Sequence, residues 1–163
     1  VQSLSNAIIE SWDRSSRIIS NEAKGLDPES LSIQTLPDEW PIVQHLCHVH
    51  GTRRHWLSVV APEFSVGIER LYTKVEGGWV PIDDLTTVVA ELDKSALQIR
   101  KAMEVLLEEP KPIGPYSHPV FFLQHMIWHE GWHTSSIMQA LRSQGKEFAE
   151  EWEGQNVWAI WRS

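Results

Sequence analysis

The chain has 163 residues, 42% of them hydrophobic and 22% charged, enough for a buried core in one domain over residues 1–163. Its formal charge of −8 opposes nucleic-acid phosphates and anionic lipid headgroups, and no run reaches the roughly 18 consecutive apolar residues of a spanning helix, so neither nucleic acid nor membrane is expected as a partner. The single cysteine, Cys47, excludes an internal disulfide and a Cys-rich zinc site; with no basic and apolar leader pattern at the start, a soluble cytoplasmic protein is expected.

Leu4, Ile8, Trp12, Ile19 and Ala23 recur at helical spacing and predict a first helix that stops near Lys24, before Gly25 and Pro28. A loop follows to about Pro37. Asp38 is placed to cap a second helix that starts Glu39-Trp40-Pro41, with proline in its first turn, and runs through Leu46, Val49 and Trp56 to Pro62. From Pro62 to Asp83 the periodicity fails around Gly77-Gly78 and Pro81, predicting a long irregular connection with a short extended piece at Tyr72 to Val75, placed to act as a lid. Leu85, Val88, Leu92, Ile99 and Met103 predict a third helix started by Asp83 or Asp84 and ended before Pro110. Ser117 is placed to cap a fourth helix, with Pro119 in its first turn, ending at Gly145. The remaining tail carries Trp152, Trp158 and Trp161 and is expected to pack back on the body. Four amphipathic segments without an alternating strand series read as an all-α four-helix bundle with a long connection between helices 2 and 3 and a Trp-rich C-terminal tail.

The eight histidines are the informative residues, because seven fall on two of these helices: His45, His48, His50 and His55 on the second, His125, His129 and His133 on the fourth. At roughly 100° per residue, His129 and His133 sit one turn apart on one face, a spacing that lets two imidazoles reach one metal, and His125 extends the stripe. On the second helix His48 and His55 are nearly aligned and His45 lies about 60° away, so one or two of them can face the fourth helix. Two apolar-helix imidazoles left unpaired would be costly to bury, which favours a ligand role for His129 and His133. Imidazole suits Zn, Ni, Fe or Cu.

His129-Glu130-Gly131-Trp132-His133 also matches H-E-x-x-H, the zinc-protease helix in which the Glu is the general base. The extended form fails because no His follows His133; Glu150 or Glu153 would have to be the third ligand, and no edge strand for a peptide is evident. Glu130 is a candidate catalytic base, but it points about 100° from His129 and reads equally as a structural carboxylate. Gly131 in a helix interior predicts close packing around the site. Cys47 reads as a small core residue. Trp40, Trp56, Trp128 and Trp132 lie near the same turns and read as core packing or as pocket walls.

The run Trp40-Pro-Ile-Val-Gln-His-Leu-Cys-His48, with His129-Glu-Gly-Trp-His133 at the matching distance, resembles the paired helix motifs of the DinB-like superfamily. Members often follow the last His with Gly-Gln, where this chain has Ser135-Ser136. The resemblance implies a four-helix bundle whose divalent metal, most simply Zn or Ni, is held by His48, His129 and His133. It also implies a homodimer. The superfamily includes metal-dependent S-transferases that use bacillithiol or mycothiol and a mycothiol-dependent maleylpyruvate isomerase. The expected function is therefore thiol S-transfer or metal-assisted hydrolysis on a small-molecule substrate, with a low-molecular-weight thiol as one candidate and Arg53, Arg54 or Lys74 as candidates to hold its carboxylate. The alternative is a non-catalytic stress-related or interaction module with a structural metal or none; a fourth protein ligand from His45, His55 or His125 would mark a closed, structural site.

Overall fold

The computed structural model describes residues 2–162. Ser3 stays extended and its hydroxyl accepts from the Asn6 N–H, starting α1 (Leu4–Gly25). Trp12, Ile19 and Ala23 turn inward as their spacing predicts, while Leu4 is exposed. The loop that follows contains one short 3-10 turn, Pro28–Ser32, capped by Asp27.

α2 (Ile42–Val60) begins later than predicted. Pro41 stands at its N-cap position with ψ 158, outside the first turn, and Asp38 caps nothing. Proline keeps its preceding residue out of the helical region, so Trp40 cannot be helical and the start moves to Ile42. This delay leaves Glu39 and Trp40 outside the helix, free to fold over its first turn.

The connection after α2 is more ordered than expected. Tyr72–Val75 is indeed extended (β1) and pairs antiparallel with Gly78–Pro81 (β2), in the register Tyr72 to Pro81 and Val75 to Gly78. Gly77 and Gly78 at the turn both have positive φ, which glycine adopts without strain. The hairpin is no lid over the histidines: Ile68 and Leu71 are buried in the core, Arg54 Nε donates to the Ile68 carbonyl, and the segment lies against α2 beside His50 and Gly51.

Asp84 caps α3 (Leu85–Leu106), accepting from the N–H groups of Thr86 and Thr87. α4 (Pro119–Ser143) is capped by His118, whose Nδ1 accepts from Val120 N–H at 3.2 Å; the expected cap, Ser117, lies one residue too early. α1 and α2 each pack on both α3 and α4, so the four helices form a ring with α1 and α2 at opposite corners. One half of the core gathers Ile19, Leu46, Leu92 and Ile137, the other Trp12, Leu57, Met103 and Phe122. The tail returns through α5 (Glu150–Glu153) to the end of the chain, but its anchors are Val157 and Ile160 against Ile18, with Trp152 alongside; Trp158 and Trp161 stay largely exposed. The fold is an all-α bundle with one small hairpin. No helix among the described residues is long and apolar enough to cross a membrane.

Candidate metal centre

The packing of α2 against α4 brings His48, His129 and His133 together, with one ligand atom from each within 4.8 Å of the others. His129 Nε2 lies 3.2 Å from His48 Nε2 and 3.2 Å from His133 Nε2. Nitrogens that bind one ion at about 2.0 Å in a tetrahedron stand about 3.3 Å apart, so this spacing is what a shared cation requires. Burial is the main reason all three imidazoles resist protonation, and for His129 and His133 the neighbouring imidazoles add to it. His129 is pushed down to about 4 and His133 to about 3, and His48 is lowered by burial alone. All three are neutral at pH 7 and keep a lone pair for a metal.

The cluster floors a pocket of about 420 Å³ between the start of α2 and the middle of α4. Its walls are Trp40, Trp128 and Trp132, with Glu39 and Ser136 among the lining residues. The Trp40 ring is nearly parallel to His133, at 7°, and meets His48 edge-on. Trp132 also lies near parallel to His133, at 18°. Trp56 is not a wall; it packs on Tyr116 and His125 in the other half of the molecule.

The remaining sequence candidates fall away from the three nitrogens. His125 Nδ1 is 2.7 Å from the Tyr116 hydroxyl, and His55 is exposed beside Trp56. His50 is fully buried, with Glu69 and Glu91 carbonyls at its two nitrogens. Glu130 faces the bundle interior, where Arg53 holds both its oxygens at 2.6 and 2.8 Å. Arg53 is thereby committed, Arg54 bonds the Ile68 carbonyl and Lys74 is exposed on β1; none of the three lines the pocket. A Cβ added to Gly131 would meet nothing within 4 Å, so that glycine does not mark close packing. Cys47 is buried, and burial pushes its thiol up to about 12.

Sequence reasoning missed Glu39, Ser136 and the contact between His45 and His133. Glu39 was assigned to a helical first turn; only the proline rule at Pro41 could have released it.

Bundle and cluster together define a helical protein with a three-histidine site open to a pocket. The DinB family model matches residues 2–153, and the chain belongs to the DinB family. Neither the curated proteins nor the solved structures gave a match.

Proposed function

We propose that His48, His129 and His133 hold one divalent cation, Zn or Ni, and that the protein is an enzyme acting on a small molecule in the tryptophan-walled pocket, by thiol S-transfer or hydrolysis. The observation that carries this reading is the convergence of three neutral imidazoles on the floor of an accessible, largely apolar pocket. A divalent cation bound there would supply Lewis acidity, which lowers the pKa of a coordinated thiol or water.

The chain's own residues limit the chemistry further. Three protein ligands leave positions for substrate, and the histidines that would close the shell are engaged or turned elsewhere, which favours a catalytic over a structural site. Cys47, the only cysteine, has a buried thiol held protonated, so any reacting thiol comes from the substrate. Trp40, Trp128 and Trp132 offer flat apolar surface and exclude water from one side of the cluster. The lining carries one carboxylate, Glu39, and no Lys or Arg. A thiol with a neutral head therefore fits better than one bearing several carboxylates. Glu130 acts in this reading as a structural carboxylate behind the site.

The test is elemental analysis of natively purified protein beside His129→Ala. Stoichiometric metal that disappears in the variant is the expected result. A wild-type chain that takes up no metal after incubation with Zn and with Ni overturns the reading in favour of a non-catalytic module.

A further inference from the structure

We propose that α2 and the hairpin form a second site, apart from the histidines, that binds a small organic oxyanion: a carboxylate or phosphate head on Arg54 and Arg70, with a flat body against Trp79. These three residues line a pocket of about 410 Å³ together with Gly51, His55 and Tyr72, and none of its lining is shared with the metal pocket. The chain has 22 acidic residues against 14 basic ones, yet no carboxylate lines this pocket. The pocket is therefore locally positive on a protein of formal charge −8.

The fold builds the site from both sides. Arg54 is half-buried on α2, and its Nε donates to the Ile68 carbonyl at 3.0 Å, which orients the guanidinium and leaves its terminal amino groups unused among the described residues. Buried His50, with Nε2 2.7 Å from the Glu69 carbonyl, holds the segment that carries Arg70 against α2. The turn at Gly77 and Gly78 folds β2 back on β1 and brings Trp79 to Arg70, whose guanidinium lies over the indole, 5.6 Å from its centroid. Stacking covers one face of a guanidinium and leaves the N–H donors in its plane for an acceptor. Arg53, Arg100 and Arg142 are each paired with a carboxylate, whereas among the described residues Arg54 and Arg70 are not. Two planar forks with donors to spare match the oxygens of a carboxylate or phosphate, and such charge-assisted bonds are the strong ones. Gly51 keeps the α2 wall open, since a Cβ there would meet nothing within 4 Å. Trp79 is 53% exposed and offers ring surface to the ligand's body.

The site does not depend on the metal reading, so it is tested in metal-free and in Zn-treated wild-type protein alike. Benzoate and phenyl phosphate are titrated into the 15N-labelled chain, with neutral benzamide as the control, and proton–nitrogen spectra follow the Trp79 indole N–H and the Tyr72 backbone amide. Saturable shifts of both signals are expected, with at least one anion binding about tenfold or more tighter than benzamide, and the tighter anion identifies the head as carboxylate or phosphate. Arg54→Gln and Arg70→Gln are each expected to weaken that binding about tenfold or more, and Gly51→Leu to abolish it by filling the open wall, while all three keep the metal uptake of wild type. No saturable shift with either anion at about 10 mM overturns the proposal, as does benzamide binding as tightly as the anions. Affinity unchanged in both arginine variants overturns the guanidinium assignment. If an arginine variant does not fold, the wild-type titrations and Gly51→Leu decide, and a folded Gly51→Leu protein that binds as tightly as wild type counts against the site. Anion binding here by a chain that takes up neither Zn nor Ni supports this site and overturns the metal reading alone.

Discussion

Arg53 and Glu130 tie α2 to α4 through two parallel hydrogen bonds, with 1% and 2% of their side chains exposed. Arg53 also donates to the Leu92 carbonyl at 2.7 Å and to Ser95 Oγ at 3.3 Å, and its guanidinium lies over the Trp12 ring, so α1 and α3 are joined to the same point. Removing one partner of such a pair leaves the other charge buried and unpaired. Glu130→Ala is expected to lose about 3–5 kcal/mol in urea unfolding, and Arg53→Met combined with Glu130→Leu to recover most of that loss. If Glu130→Gln kept wild-type stability and metal yet lost a measured activity, Glu130 would be a base and this account would fail.

The neutral histidines make the metal-free protein sensitive to acid. The unfolded chain takes up protons near the ordinary value of 6.5, whereas folded His129 and His133 refuse them until about 4 and about 3. Their contribution to stability is fully present above pH 6.5 and falls as the pH drops toward those lower values. The urea midpoint of the metal-free protein should therefore be lower at pH 5 than at pH 7, and His133→Phe should narrow the difference. An unchanged difference in that variant would place the acid sensitivity elsewhere.

Much of this arrangement was legible in the sequence, and the reasons differ from residue to residue. The 3.6-residue period placed Trp12, Leu92 and Phe122 in the core, and the four-residue step placed His129 and His133 on one face. Selecting His48 over His45 and His55 took the family motif, since helical angles alone left all three open. The partner of Glu130 was hidden because Arg53 lies 77 positions away and only the packing of α2 on α4 joins them. Local rules also misled: Gly131 suggested a close helix contact, yet it faces open space. The tail packs back on the body as expected, but of its three tryptophans only Trp152 joins that contact, and the smaller Val157 and Ile160 take the buried face.

Glu22 on α1 titrates in the opposite sense. It is fully buried, and neither oxygen finds a partner at hydrogen-bond geometry among the described residues. Burial raises its carboxyl well above the usual carboxylate range, Glu153 in the tail adds to the rise, and nearby Thr134 offsets part of it. The folded chain thus holds a proton that the unfolded chain releases near 4.5, so this contribution is full below that pH and is lost as the pH rises. Glu22→Gln keeps the shape without the charge. Its advantage over wild type should grow with pH by up to about 1.4 kcal/mol per unit above 4.5, until the folded group itself ionises. Equal stability of the two proteins at pH 5 and pH 8 would show that Glu22 is not held protonated.

Gly131 offers a change that should improve the protein without touching the site. It lies inside α4 between His129 and His133, and it is absent from the positive-φ glycines, so an alanine meets no backbone strain there. The space where a Cβ would stand is open. Glycine within a helix is less favourable than alanine by roughly 0.5–1 kcal/mol, mainly because the unfolded chain loses more freedom on folding. Gly131→Ala should raise unfolding stability by about that amount and leave Zn affinity as in wild type. A loss of metal in a stabilised Gly131→Ala protein would mean that the one-turn step between the two histidines needs more play in the helix than its geometry implies.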